Sequence, residues 1–515
     1  MRKVRSFLVS MILLTATTLL IRTIGISFTA YLSQKIGPSG IGIYQLILSV
    51  SSLAITLATS GVKFTAIRLV SEQEGMGSAS GQKAAVKRCL CYALAFSLSA
   101  LILLFFGADL IGRVWLSDER TIPSLKLLAF SLPFTAVSAV MNGYFTAVRK
   151  TGKSAVIQIF DQLAMIGFTL IGLHFLLPYG FGAACLALVG SSCLSEMVTC
   201  LLLTCCWLWE KRHLKGTHSS AHPGMSKKML KIALPIAFSS YARSGLSTIQ
   251  HLLVPRGLSK SGSSKEEAFA SYGMVHGMVL PLVLYPAALM ITLADLLVPE
   301  LTECQVKHRQ KQIDYMATRV FRLSLIFAVA TAGTLFCFSS QLGTAVYQRP
   351  EAGFYIRIFA PLVLIMYMDT VVDGVLKGMG EQFNSMKYNV IDSFSSVLLV
   401  WLLIPKMGVK GYIITVMVSE VLNFCLSLNR LIHITHIRLD LWNSLIKPLG
   451  CIVISIAFIQ VFFRGEFFGK FCPQFLPLQI AAFLGIYILC MLLTSSLSRQ
   501  DVRWIFSTGK APARQ

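Results

Sequence analysis

The chain has 515 residues, of which 55% are hydrophobic and only 13% are charged. A soluble domain carries about 25% charged residues, so this composition excludes an ordinary soluble protein and predicts an integral membrane protein. The formal net charge of +23 falls mostly in short gaps between apolar runs. There is no basic stripe with interleaved aromatic residues, so we expect no nucleic-acid partner.

About fourteen apolar runs are long enough to cross a bilayer, which takes about 20 residues each. In lipid the backbone must close its hydrogen bonds within the segment, so long apolar runs predict helices and an all-α membrane protein. The first run continues without a clear cleavage site and is expected to remain as a helix rather than act as a signal peptide. The runs cover residues 6–33, 40–70, 84–107, 122–148, 154–177, 182–208, 229–254, 270–298, 319–340, 354–376, 384–404, 409–429, 446–463 and 476–497.

The distribution of Lys and Arg orients these helices. With the N-terminus inside, the inner segments hold about 29 of them and the opposite loops about 11, so the positive-inside rule places both termini in the cytoplasm. The longest inner segment, EKRHLKGTHSSAHPGMSKKMLK, is basic and lies in the middle of the chain. It is predicted to link two halves of a multi-pass protein of the cell membrane.

The two halves share residues at nearly constant spacing. The matches are Tyr44 and Glu72 with Tyr272 and Glu300, Gly143 and Asp161 with Gly374 and Asp392, and Ser195-Glu196 with Ser419-Glu420. An internal repeat of six helices in the same orientation predicts two parallel lobes around a central cavity, as in alternating-access transporters. The predicted division is an N-terminal lobe at 1–208, a cytoplasmic linker at 209–228, a C-terminal lobe at 229–430, and two extra helices with a cytoplasmic tail at 431–515.

The cations within or near the ends of predicted helices include Arg22 in the first, Lys63 in the second, Arg243 in the seventh and Arg357 in the tenth, and the first three are the candidates for a shared cavity. Ionisable residues inside membranes usually face the bundle interior or a water-filled cavity. Arg presents a planar fork that suits phosphate and Lys a point charge, so this set suits a diphosphate. The alternative is that each cation pairs with an acid or extends to the membrane interface.

Acids and prolines inside the helices give further candidates. Glu196 and Glu420 lie deep enough to carry protons or bind a coupling cation. Asp161 and Asp392 are expected to be structural, bonding loop backbone or inner cations. Pro281 and Pro286 interrupt the eighth predicted helix and are candidates for a hinge, the alternative being close helix packing.

Catalytic and cofactor signatures are missing from the sequence. No CxxC motif occurs, so the cysteines are interpreted as free thiols and no metal is expected. The tetrapeptide TGKS at 151–154 ends like a P-loop, but Ala147 stands where the first glycine belongs. We therefore predict a protein that is not an enzyme and uses no cofactor.

Four stretches carry a family resemblance: LIRTIGISFTAYLSQKIGPSGIGIYQLILSV (20–50), LPIAFSSYARSGLSTIQHLLVPRGL (234–258), SYGMVHGMVLPLVLYPAALMITLADLLVPELTE (271–303) and GVLKGMGEQFNSMKYNVIDS (374–393). They resemble the polysaccharide transporter branch of the multidrug/oligosaccharidyl-lipid/polysaccharide (MOP) exporter superfamily. The resemblance implies a flippase that moves an undecaprenyl-diphosphate-linked cell-wall precursor, such as lipid II, or an oligosaccharide across the membrane. Resemblance to members from endospore-forming bacteria implies spore cortex peptidoglycan as the destination, with the lipid-linked sugar, membrane lipids and cortex-synthesis proteins as partners.

Related lipid II flippases use arginines on their first, second and eighth helices, and Arg22 matches the first by position. Lys63 is the nearest cation on helix 2. Helix 8 has no arginine, so Arg243, or Arg256 in the loop after helix 7, is the candidate substitute. Two other functions stay open: an ion-coupled multidrug exporter of the same fold that uses Glu196 and Glu420, and a non-transporting membrane scaffold for cortex synthesis.

Overall fold

The computed structural model describes residues 2–148, 150–213, 224–435, 442–464, 476–494 and 496. Over these ranges the chain forms helices joined by turns, without a β-strand. This confirms the predicted all-α class, and every predicted apolar run falls largely on helix.

Eighteen α-helices follow one another along the described ranges. The first eight are α1 (Arg2–Thr59), α2 (Val62–Gly75), α3 (Ala79–Leu110), α4 (Ile122–Ala147), α5 (Thr151–Leu176), α6 (Phe181–His213), α7 (Met225–Lys260) and α8 (Lys265–Tyr272). The others are α9 (Leu280–Val283), α10 (Ala287–Val306), α11 (Gln310–Cys337), α12 (Ser339–Tyr347), α13 (Pro350–Phe359), α14 (Val363–Gly378), α15 (Gln382–Met407), α16 (Val409–Ile434), α17 (Lys447–Arg464) and α18 (Leu476–Leu493).

These helices group by contacts into two compact units. Unit N comprises Pro38–Ala270 and Val400–Pro405, and unit C comprises Met1–Gly37, Ser271–Leu399 and Lys406–Gln515. The start of α1 therefore packs with the second half of the sequence, whereas α7 packs with the first half. The lobe boundaries at 1–208 and 229–430, which come from the sequence repeat, stay a prediction.

Breaks in the first long helix follow from local backbone chemistry. Gly37 has a φ of 70°, which glycine adopts without steric cost, and Pro38 lacks the N–H that a regular helix would use. The predicted single helix over 40–70 was wrong, because Ser60 and Gly61 both have positive φ, 46° and 69°, and end α1 before α2 begins.

The predicted helix over 270–298 is not one straight rod. A π-helical stretch, Gly273–Val279, follows α8, and the chain then bends by 60° between Val283 and Ala287. Pro281 lies in α9, just before this bend, and Pro286 lies within it. Proline removes a helical hydrogen bond and clashes with the preceding turn, which explains why the break occurs here.

In the part of the chain that the structure describes, ten helices are long and apolar enough to cross a membrane, or eleven if the bent pair counts as one span. The predicted number of about fourteen is not established by this count. One stretch, Thr18–Gly75, contains both predicted runs 6–33 and 40–70. The region of α17 forms only a shorter apolar helix, and α7 is not among the ten helices. Six Lys and Arg residues interrupt α7.

The outer face of unit N is apolar, as expected of a surface in contact with lipid. Leu103 and Phe106 of α3 are 68% and 77% exposed, while Ala100 and Leu104 of the same helix are buried. The core of unit N packs α2, α3, α4, α6 and α7 around the fully buried Tyr144. The protein is therefore a multi-pass membrane protein.

Candidate functional site

Arg22 contacts the bend between α9 and α10. Its side chain is half-buried, and Nη1 donates a 2.8 Å hydrogen bond to the backbone carbonyl of Leu284. Leu284 is the first residue after α9, and its carbonyl otherwise accepts only a 3.1 Å bond from the N–H of Ala287. The interrupted helix thus leaves a carbonyl that the cation can reach.

Other side chains bond the same broken segment. The hydroxyl of Thr23 lies 2.8 Å from that of Tyr285. The hydroxyl of Tyr367, on α14, donates to the carbonyl of Val283 at 2.8 Å. In the π-helical stretch, Tyr347 donates to the carbonyl of Met278 at 2.7 Å. Backbone groups freed by a helix break in a membrane need such partners, so the bend is a stabilised part of the fold.

Arg22 keeps most of its donors available for a ligand. Guanidinium has five N–H donors, and the bond to the Leu284 carbonyl uses a single nitrogen. Among the described side chains, no carboxylate forms a salt bridge with Arg22. A cation that is held by a backbone carbonyl and not neutralised by an acid is suited to receive an anionic group.

The other three predicted cations lie in unit N. Lys63 is exposed in the first turn of α2, and Arg243 is exposed on α7 without a hydrogen bond or ion pair to any described residue. The prediction that Arg256 lies in a loop was wrong, because α7 continues to Lys260. The Arg256 guanidinium donates to the carbonyl of Val114, at the end of the membrane segment that α3 begins. Whether these cations and Arg22 bind one ligand stays a prediction.

Close packing through glycine recurs at equivalent positions of the two units. A Cβ added to Gly143 would lie 2.9 Å from the Ala66 Cβ in unit N, and one added to Gly374 would lie 2.5 Å from the Ala294 Cβ in unit C. Gly143 and Gly374 are a matched pair of the predicted repeat, and the two alanines share the spacing of Tyr44 and Tyr272. The same helix contact therefore occurs twice.

Polar contacts repeat as well. In unit N, Ser154 donates to Asn142 and Ser195 donates to Asp161. In unit C, Ser385 donates to Asp373 at 2.6 Å and Ser419 donates to Asp392 at 2.5 Å. These equivalent bonds support the internal repeat. The expected partners of Asp161 and Asp392 were wrong: serine hydroxyls of the next helix bond them, not loop backbone or cations.

Unit C carries an acidic cluster that was not predicted from the sequence. Its members are Asp369, Asp373, Asp392 and Glu420, which lie close enough for the last three to act electrostatically on Asp369. Asn423 donates to Asp369 at 2.9 Å, and a second oxygen of Asp369 is buried without a hydrogen-bond partner in the described structure. The equivalents in unit N are Ser138, Asn142, Asp161 and Glu196, of which only two are acids, so the repeat spacing gives only a partial signal for this cluster.

The two predicted coupling residues therefore differ in their surroundings. Glu420, on α16, is half-buried in the acidic cluster, while Glu196, on α6, has a serine where Asp369 stands in unit C. Across the described ranges, no group of three or more His, Cys, Asp or Glu side chains is arranged to hold a metal ion. Because of this asymmetry, the cluster in unit C is the stronger candidate for a site that binds and releases a coupling proton.

Comparison with known proteins gives consistent matches. A family model described as "Polysaccharide biosynthesis protein" matches residues 7–263. Stage V sporulation protein B of Bacillus subtilis (strain 168) is 23% identical over 98% of this chain and 99% of that protein. Lipid II flippase MurJ of the same strain is 20% identical over 72% of each chain.

Solved structures show the same fold. A structure of the lipid II flippase MurJ in an inward closed conformation has a TM-score of 0.69 at 13% identity, covering 96% of this chain and 100% of that one. An inward-facing multidrug resistance MATE family transporter of the MOP superfamily has a TM-score of 0.64 at 15% identity, covering 82% and 98%.

Fold and matches define a multi-pass membrane protein with the architecture of MOP superfamily transporters. Residues 7–263 match the polysaccharide biosynthesis protein family, and the chain is similar along nearly its whole length to stage V sporulation protein B.

Proposed function

We propose that the protein is a flippase for an undecaprenyl-diphosphate-linked cell-wall precursor, such as lipid II or a lipid-linked oligosaccharide. The observation that carries this proposal is Arg22: a half-buried guanidinium beside a helix bend, bonded to the Leu284 carbonyl and free of any described carboxylate. Such a group can accept the diphosphate of the precursor through charge-assisted hydrogen bonds. The similarity of this chain to the lipid II flippase MurJ of Bacillus subtilis supports the same substrate class.

In this mechanism the diphosphate is drawn to Arg22 and to Arg243, with Lys63 and Arg256 as further candidate contacts. The lipid tail stays in the bilayer while the lobes alternate between inward-open and outward-open states. The bend that contains Pro286 and follows Pro281 is the proposed hinge, because it joins the Arg22 contact to α10. Both termini face the cytoplasm, and the protein catalyses no covalent step.

Coupling is assigned to Glu420 within the acidic cluster, with Glu196 as its counterpart in the other half. Carboxyl groups held near one another disfavour full ionisation, so one of them can take up and release a proton during the cycle. The same cluster favours the second candidate function, ion-coupled export of cationic compounds.

The destination of the substrate is the last element of the proposal. Similarity to stage V sporulation protein B over nearly the whole chain supports a role in spore cortex peptidoglycan synthesis, with cortex-synthesis proteins as partners. A scaffold that recruits those proteins without moving lipid is the alternative that a transport assay tests directly.

The assay uses full-length protein reconstituted into vesicles with fluorescent lipid II, and measures the fraction of label that a membrane-impermeant quencher reaches over time. We expect flipping by the wild type and its loss in Arg22→Ala. Lys35→Ala, which removes an exposed cation from the same helix, is the matched control and should flip normally. Thr23→Val removes the neighbouring hydrogen bond to Tyr285 without changing the charge. Comparison with this variant distinguishes the effect of losing a contact between α1 and the bend from the effect of losing the cation.

Three results contradict the proposal. If the Arg22→Ala variant flips lipid II at the wild-type rate, Arg22 does not bind the diphosphate. No flipping by well-folded wild type favours the scaffold. Efflux of a cationic dye that Glu420→Gln abolishes, with lipid II unmoved, favours the exporter.

A further inference from the structure

We propose that unit N carries a second anion site, a pocket between α3 and α7 that binds the phosphate of an anionic membrane phospholipid. The pocket has a volume of about 570 Å³ and is lined by Ala84, Lys87, Arg88 and Cys91 of α3 and by Ser226 and Met229 of α7. Ligand clefts commonly have volumes of about 300–1,000 Å³. Two cations and no acid are among the described residues that line it, so its charge complements an anion.

Arg88 has a donor that nothing described satisfies. Its Nη1 atom is shielded from solvent and has no hydrogen-bond partner among the described residues. A guanidinium is always charged, and a buried charged nitrogen without a partner is costly. Residues 214–223, between α6 and α7 and outside the described ranges, contain no Asp or Glu and so offer no carboxylate. A phosphate oxygen would satisfy this donor.

The position of the pocket along α3 matches lipid headgroups. From Cys89 to Ala108 the helix has 20 residues without a charge, which span about 30 Å, the thickness of the hydrocarbon core. Lys87 and Arg88 immediately precede this run and therefore lie at headgroup level. Basic pockets between membrane helices at this level are typical sites for anionic lipid headgroups.

The exposed face of α3 selects lipid over a soluble phosphate. Lys87 and Cys91 are exposed, and Leu94, Leu98 and Ile102 continue the same face at helical spacing with exposures of 38%, 50% and 54%. This apolar stripe is suited to acyl chains, because its spacing keeps all five residues on one side of the helix. A lipid bound with its phosphate at Lys87 and Arg88 can thus lay its chains along the stripe.

Native mass spectrometry of the full chain in detergent tests the site with phosphatidylglycerol and phosphatidylcholine as probes. We expect wild type to retain phosphatidylglycerol in preference to phosphatidylcholine. Lys87→Gln/Arg88→Gln should lower affinity for phosphatidylglycerol about 30-fold, from the loss of two cations near a lipid surface. Arg68→Gln, which removes an exposed cation of α2 that is not in the pocket lining, is the matched control and should change affinity less than about twofold. Equal loss in the control, or no loss in the double variant, overturns the proposal.

A second measurement uses the wild-type protein, so its result does not depend on whether a variant folds. Cys91 lines the pocket, while the exposed Cys205 and Cys425 lie elsewhere. In nanodiscs, phosphatidylglycerol should slow N-ethylmaleimide labelling of Cys91 relative to those two cysteines, compared with phosphatidylcholine. Unchanged labelling overturns the proposal. Equal protection by inorganic pyrophosphate in phosphatidylcholine discs identifies a soluble-phosphate pocket and overturns the lipid assignment.

Discussion

Gly374 packs so closely on Ala294 that a Cβ at the glycine would lie 2.5 Å from the alanine Cβ. This contact joins α14 to α10, the helix that follows the bend. Its equivalent, Gly143 on Ala66, joins α4 to α2 in unit N. The pair shows that the two halves of the sequence repeat share a packing contact and not only a residue spacing.

Gly374→Ala should destabilise the protein by about 1–3 kcal/mol, because real Cβ atoms do not approach to 2.5 Å and the helices must separate. The measurement is the midpoint of thermal unfolding in detergent. Gly167→Ala is the control, since no atom lies within 4 Å of an added Cβ there and alanine favours helix. A Gly374→Ala protein as stable as the Gly167→Ala protein would contradict the packing argument.

Tyr367→Phe should also destabilise the protein, by about 1–3 kcal/mol, because it removes the donor to the Val283 carbonyl at the bend and leaves a buried polar group unpaired. Tyr367 is fully buried, so water does not replace the hydroxyl. Tyr179→Phe, at a side chain 82% exposed, should have no effect on the unfolding midpoint. Equal midpoints for the two variants would mean that the hydroxyl does not stabilise the bend.

The bond from Ser419 to Asp392 ties α16 to α15, and a double-mutant cycle measures it. Ser419→Ala and Asp392→Asn should each lower stability, and the two changes should be coupled by about 0.5–3 kcal/mol because they remove the same interaction. Ser393→Ala, whose hydroxyl bonds only the Asn389 carbonyl of its own helix, serves as the uncoupled partner in a parallel cycle with Asp392→Asn. Strict additivity of Ser419→Ala with Asp392→Asn would refute the contact.

Glu381 should make stability depend on pH in the acid range. Arg430 donates to both of its carboxylate oxygens, at 2.8 and 3.2 Å, and these bonds together with one from Asn384 lower the pKa of Glu381. Because the folded-state pKa is lowered, the stabilisation is present above the ordinary glutamate pKa of about 4.3 and is lost as pH falls through the lower value.

The corresponding variant is Glu381→Gln. Its unfolding midpoint should lie below that of wild type at pH 7, and the difference should shrink on acidification towards pH 3. Glu351→Gln, at an exposed side chain of α13, is the control and should track wild type throughout. A difference that stays constant from pH 7 to pH 3 would show that ionisation of Glu381 does not stabilise the fold.

The sequence was sufficient for the features that depend on local chemistry. Apolar runs predicted helices because the bilayer permits little else, and Pro281 and Pro286 marked the bend because proline lacks an N–H. The repeat spacing correctly paired Gly143 with Gly374 and Asp161 with Asp392. Arg22 was identified because a cation in an apolar run needs an explanation.

Features that depend on distant contacts were not predictable in this way. No local signal indicates that the Leu284 carbonyl receives Arg22, or that Tyr367 bonds the bend. The predicted helix over 229–254 ends before Arg256, yet α7 continues through Pro255 to Lys260, because the lost backbone bond is tolerated there. The acidic cluster was overlooked because Asp369 matches a serine, Ser138, in the other half, so the repeat did not draw attention to it.

The bond between Arg22 and Leu284 has a consequence for biosynthesis. The two residues are separated by 262 positions, so at about 5–20 residues per second the ribosome needs roughly 13–50 s to deliver the acceptor after the donor. During that interval the nascent first helix holds a charged side chain without its final neighbour. Insertion of this helix therefore precedes its docking on the bend between α9 and α10.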